Sequence, residues 1–504
     1  MLKNENRRGK MKTPPAPEVV KNIITPNILD GTKRTFWAYV DLNRAHVLML
    51  RKQNIISEET CMKILKVNEE LAAMGDRPTF EIDPKREDLY FNLEHYLIDR
   101  VGLQVGGQQH TARSRNDMTS TVTRMVARRT YFELCQKLIE LRKTIHALAE
   151  RTRDAVMAGN THLQPSEPIT FAHYCTAILY GLQRDFKRLN HLYEHLNECP
   201  LGGTSMGSST WNIDRQMTSD LLGFDRPVRN SIDCVASRDY VLEFLSALTI
   251  AGNTLCRLCN DLYVWSTPDF GYVEVDDSVA VCSSIMPQKK NPWTLEFIKG
   301  KTASLEGDLV AALSTMRTTP YTYCLDLSGV AVSNLWMALD QMNAALELMI
   351  ATLKDIKVNK GRMLAAARTN YCTVTELANT LVRIEGISFR EAHEITAMVV
   401  DWMLKHNKKA DAITTDEINE MANELFNVRF EKITQHDVDL ALDPVLNVKS
   451  KDIIGGTSDR QEGLQLEEIA QQIASDETLL ATRQSALSAA KAKMEALIKE
   501  TLAH

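Results

Sequence analysis

Aromatic side chains are scarce, 6 % of 504 residues. A basic excess is also missing: 59 Lys and Arg face 65 Asp and Glu, a net charge of −6. A nucleic-acid-binding surface needs clustered positive charge, so that class is disfavoured. No run of about 18 consecutive apolar residues occurs, and no membrane-spanning helix is expected. The ten cysteines are scattered. Only Cys256 and Cys259 have the spacing of a metal or redox pair, and they sit in an apolar helical run without a second pair. A reduced, cytoplasmic protein is the expectation. The opening residues, MLKNENRRGKMKTPPAPEV, are basic and Pro-rich and lack the apolar segment of a secretory signal. Residues 1–26 are expected to form a mobile arm. Alternating strand patterns and repeats of about 20 to 50 residues are absent as well.

What remains is helical periodicity. Residues 38–53, 57–74 and 87–98 read as short helices, with Ser57 capping the second. Long helices are expected over 117–153, 169–198, 237–266, 294–316 and 330–356. In the first, Leu134, Leu138, Leu141, Ile145 and Leu148 step by four, three, four and three, a bundle stripe. Such stripes on helices roughly 30 to 50 Å long call for further helical partners, so oligomerisation is expected. Shorter helices follow at 374–384, 388–405 and 415–425, then a charged amphipathic helix over 465–502. The fold class is all-α.

Three polar clusters interrupt the helices. VCSSIMPQKKNPWTLE, residues 281–296, sets Ser283, Ser284, Lys289, Lys290 and Asn291 between Pro287 and Pro292. Proline keeps this stretch out of a helix interior, and Pro292 at the first helical position would open the next helix. Hydroxyls, ammonium groups and a helix N-terminus at one place suit an anionic ligand. HTARSRND, residues 110–117, gathers guanidinium, hydroxyl and carboxamide groups, and Arg recognises carboxylates through paired hydrogen bonds. GNTHLQP, residues 159–165, carries His162, which can move protons near neutral pH. Glu296 is a candidate to orient it.

SSIMPQKKNP resembles the signature loop of the fumarase/aspartase superfamily, in the form seen in argininosuccinate lyases. HTARSRND and THLQP resemble the other two blocks, and the first of these is specific to argininosuccinate lyases. Residues 236–239, 389–393 and 455–458 extend the resemblance to roughly 30–480. It implies a three-domain helical protomer, here 27–112, 113–364 and 365–504. Four protomers would form a twenty-helix core, with each active site built from three chains. The implied reaction is β-elimination of fumarate from an N-substituted aspartate, a small dicarboxylate, without metal or organic cofactor. Ser283 is the implied base, supported by Lys289, with His162 and Glu296 at the leaving nitrogen. Ser114, Arg115, Asn116, Thr161, Ser284, Met286, Asn291, Tyr323 and Arg238 are the implied substrate contacts.

Some positions depart from the family pattern. Cys282 stands where glycine is usual, and Trp293 where aspartate is. In YCLDLSGVA, residues 323–331, Ser328 and Ala331 replace an amide and a cation that help hold the amino-acid half of argininosuccinate. Arg238 and Lys290 are the nearest cations that would fill this gap. The alternatives are therefore an aminopolycarboxylate such as ethylenediamine-disuccinate as substrate, or a non-catalytic crystallin-like protein on the same scaffold.

Overall fold

The computed structural model describes residues 13–503. Among the described residues the chain is mostly helical, with four short strand pairs. Residues 1–12 of the expected arm lie outside the described residues. The rest of that arm is ordered as helix from Pro17 onward, because Pro17 fits a first helical turn and Ile24 is buried. It runs into α1 (Thr25–Lys52), α2 (Glu58–Ala72) and α3 (Leu89–Val101). Ser57 caps α2 as expected, its Oγ accepting the Thr60 N–H at 3.2 Å.

Five long helices form the core: α4 (Arg115–Glu150), α5 (Phe171–Leu196), α6 (Asp239–Trp265), α7 (Trp293–Arg317) and α8 (Val332–Lys354). Leu134, Leu138, Leu141, Ile145 and Leu148 of α4 are all buried. Side-chain contacts fix how the helices run. At one end of the bundle, Arg124 Nη1 donates to His195 O at the end of α5, and Arg238 Nη2 donates to the Ser120 hydroxyl. At the other end, Arg151 donates to Lys354 O and Ile356 O, Thr352 donates to Thr294, and Trp265 packs on Tyr174. So α4 and α6 start at the first end, whereas α5 and α7 start at the second.

Helix α6 is long and apolar enough, by length and composition, to cross a membrane, but half of that stretch is buried in the bundle. Packing against α5, α7 and α8 accounts for its apolar character.

Helices α9 (Val374–Glu385), α10 (Phe389–Lys405) and α11 (Thr415–Phe426) enclose a separate core around Leu377, Leu381, Ile395, Val399 and Ile418. The last helix, α12 (Asp459–Ala503), departs from the expected grouping and start. Its buried Leu466, Ile469, Ile473, Leu480, Met494 and Ile498 join the main core rather than that of the 365–504 unit. Buried Arg142 of α4 pairs with Asp476 at 2.6 Å, which holds it there. The helix starts six residues early because the Ser458 hydroxyl accepts the Gln461 N–H at its first turn. Gly455 and Gly456 precede the helix. A Cβ at Gly456 would lie 2.1 Å from Lys451 O.

Candidate active site

Residues 281–291 form a small antiparallel loop, Val281–Cys282 paired against Lys290–Asn291. The loop joins α6 to α7 at the second end of the bundle. Pro292 lies one position outside α7, as its N-cap, and not at the first helical position. The Ser283 hydroxyl accepts two backbone N–H groups, from Met286 at 3.1 Å and Ile285 at 3.4 Å. Lys289 O in turn accepts the Ser283 N–H, and Met286 O the Lys289 N–H. Lys289 is exposed and, among the described residues, pairs with no carboxylate. Ser284 and Met286 are exposed beside it, and Asn291 is half-buried. Lys290 is committed elsewhere, to Glu274 at 2.9 Å and Asp277 at 2.6 Å.

The stretch 158–168 lies in a hairpin, with strands Val156–Thr161 and Gln164–Thr170. His162 and Leu163 form its two-residue turn, both at positive φ, 55° and 60°. That is the geometry of a tight hairpin turn, for which Asn-Gly is the usual sequence. A leucine held at positive φ is strained, and strained backbone gathers at functional sites. Thr161 and His162 are exposed at the tip. Among the described residues, no hydrogen bond or ion pair joins Glu296 to His162. The Glu296 carboxylate accepts the Tyr263 hydroxyl at 2.9 Å.

The hairpin is anchored by Glu167, paired with Lys451 at 2.8 Å, and by Thr170, which donates to Glu462 of α12. Burial pushes the Glu462 carboxyl from its ordinary 4.5 up to about 7. Between these values the folded chain holds a proton that the unfolded chain has released. Stability therefore falls as pH rises through this window. Melting curves should show a larger drop in Tm from pH 5 to pH 8 for the unmodified protein than for Glu462→Gln, which cannot ionise.

At the opposite end, Ser114 caps α4 in a capping box with Asp117. Asn116 Nδ2 donates to Ser205 O at 3.1 Å. Arg115, expected to take a substrate carboxylate, is paired with Glu87 at 3.1 Å and Asp88 at 3.0 Å. Arg238, also expected at the substrate, is buried and donates to Ser237 O and Ser120. Tyr323 packs on Val228, Cys234 and Val235 near this cluster. Sequence reading missed Asp117 as an anchor. Its Oδ2 accepts the Gly202 and Thr204 N–H groups at 2.9 and 2.8 Å. The signal was the acidic residue three places after Ser114. Among the described residues, no three His, Cys, Asp or Glu side chains are arranged to hold a metal ion.

The candidate residues of one chain thus fall into two candidate half-sites. Ser114, Asn116 and Tyr323 stand at the first end; Ser283, Lys289 and His162 stand at the second. Helix α4, with 36 residues, separates HTARSRND from the hairpin by about 54 Å at 1.5 Å per residue.

A lyase family model matches residues 33–307, and an argininosuccinate lyase C-terminal model matches residues 371–449. Argininosuccinate lyase 1 of Shouchella clausii is 42 % identical over 482 residues, 96 % of each chain. The chain belongs to the argininosuccinate lyase family. The argininosuccinate lyase of Methanocaldococcus jannaschii is 36 % identical over 89 % of this chain and 90 % of its own. Among solved structures, EDDS lyase in complex with formate superposes with a TM-score of 0.86 at 30 % identity, covering 99 % of this chain and 98 % of that one. As a member of the argininosuccinate lyase family, the protein is a carbon–nitrogen lyase that releases fumarate.

Proposed function

We propose that Ser283 is the base of a β-elimination that splits an N-substituted aspartate into fumarate and an amine. The observation that carries this is the Ser283 hydroxyl under two backbone N–H groups. A serine hydroxyl is a weak base unless its alkoxide is stabilised, and two amide dipoles with the Lys289 ammonium supply that. Ser283 Oγ takes the proton from the carbon beside the carboxylate. Negative charge spreads onto that carboxylate, met by Lys289, Asn291, Ser284 and the Met286 segment, with Ser114, Asn116 and Thr161 opposite. The electron pair then forms the carbon–carbon double bond as the carbon–nitrogen bond breaks. His162, with Glu296, delivers a proton to the departing nitrogen. Carboxylate and cations carry the charge throughout, and no cofactor step enters. Fumarate absorbance should rise in step with free amine when purified protein meets its substrate; no rise with any N-substituted aspartate would refute the reading.

The half-sites combine if the protein is a homotetramer whose active sites are shared between chains. Apolar side chains on the faces of the bundle support this. Ile250, Phe297, Val310, Leu313 and Met337 are 42 %, 55 %, 60 %, 46 % and 49 % exposed. Burying them between copies completes a twenty-helix core. A cytoplasmic location fits ten free thiols.

On the first reading the substrate is argininosuccinate and the amine is arginine. One observation favours a second, an aminopolycarboxylate such as ethylenediamine-disuccinate. Ser328 and Ala331 are buried at 9 % and 0 % exposure, and Ser328 donates its hydroxyl to Cys324 O. Neither Arg238 nor Lys290 is free to replace the missing cation. A charged hydrogen bond lost to a substrate carboxylate costs about ten- to a hundredfold in affinity. Comparing kcat/KM for the two compounds separates the readings: argininosuccinate at least as good supports the first, and argininosuccinate behind by that factor supports the second.

A further inference from the structure

The Gly/Ser-rich loop over residues 202–208 has no part in the reaction as described, yet it is tied to the substrate cluster at two points. Asp117 needs only one oxygen for its capping box, where Oδ1 accepts the Ser114 N–H at 2.9 Å. Its other oxygen is spent on the loop, accepting Gly202 N–H and Thr204 N–H. Ser205 O then accepts one of the two N–H bonds of the Asn116 carboxamide. The loop is internally braced, Thr204 Oγ1 donating to Ser208 O at 2.7 Å and Ser208 N–H to Gly203 O at 3.0 Å. Thr204 and Ser208 are held at positive φ, 54° and 61°, a strained backbone that needs its surroundings to hold it. Gly203 lies so close to Cys234 that a Cβ there would come within 2.5 Å of the Cys234 Cβ.

We propose that this loop is a positioning device for Asn116: Asp117 sets the loop, and the Ser205 carbonyl sets which end of the carboxamide faces the substrate. A free carboxamide can turn its oxygen toward a carboxylate, which repels it. With one N–H bound to Ser205 O, the nitrogen end is fixed and the second N–H is available to the dicarboxylate. The inference rests on the reading above, that Asn116 is a substrate donor. Asp117 and Ser205 act through Asn116 and are positioning residues.

The test is a double-mutant cycle on kcat/KM, with folding monitored by circular dichroism and Tm. Gly203→Ala displaces the loop from Cys234. Thr204→Gly removes its internal brace without a clash and carries the test if Gly203→Ala fails to fold. Each is expected to lower kcat/KM by about ten- to a hundredfold, the worth of a hydrogen bond to a charged group. In an Asn116→Ala background the same changes should cost less than about twofold, because their target is gone. Equal losses in both backgrounds would overturn the proposal, since a loop that matters only for folding or for its own contacts is indifferent to Asn116. So would full activity in the folded variants. Absence of fumarate release by the unmodified protein from both argininosuccinate and ethylenediamine-disuccinate would refute the reaction itself, a distinct outcome.

Discussion

Ser283→Ala is expected to remove turnover by about three to four orders of magnitude, the worth of a positioned base, with the fold intact. The hydroxyl is a partly exposed loop group whose partners are the N–H groups of Ile285 and Met286. Both belong to exposed residues, so water can replace Oγ and stability should change little. The loop's geometry rests on backbone bonds, Ser283 N–H to Lys289 O and Lys289 N–H to Met286 O, which alanine keeps. Loss of rate without loss of Tm is therefore the signature of a chemical role. Stopped assays at saturating substrate should show the defect in kcat. More than a few per cent of the original rate would mean that another group takes the proton.

The second large effect is restoration of activity by mixing two dead proteins. Within one chain, Asn116 and Ser283 lie at opposite ends of the bundle. Helix α6, of 27 residues, runs between those ends and spans about 40 Å. No dicarboxylate bridges that distance, so the proposed site would draw the two residues from different chains. Asn116→Asp sets a carboxylate against the substrate's own, and Ser283→Ala removes the base; each protein alone should be inactive. After joint dissociation and reassociation in equal amounts, each site samples the two residues independently, and about one quarter of sites in random hybrids carry both intact. Activity should rise toward that fraction. Mixtures shown by mass to contain hybrids, yet still inactive, would exclude shared sites.

Much of this was legible in the chain. The four-three stepping through Leu134, Leu138, Leu141, Ile145 and Leu148 specifies a buried stripe because helical periodicity is a local property. The three polar clusters were legible for the same reason: each is a short run whose chemistry is carried by adjacent residues. The hairpin around His162 was not, because its turn has neither Gly nor Asn. The left-handed backbone at His162 and Leu163 is imposed by the paired strands and by their anchors on Lys451 and Glu462. Tertiary structure alone decided which charges are free. Composition shows that Arg115, Arg238, Lys289 and Lys290 are cations. Only packing shows that Glu87 and Asp88 neutralise the first, that burial removes the second, and that Glu274 and Asp277 hold the last. The same holds for α12, whose stripe packs on the main core although it follows a separate one in sequence. The sequence by itself determined the helices, the family and the signature loop, since these depend on neighbours along the chain. The separation of the half-sites, the pairing of the cations and the bracing of Asn116 depend on neighbours in space, which no local pattern encodes.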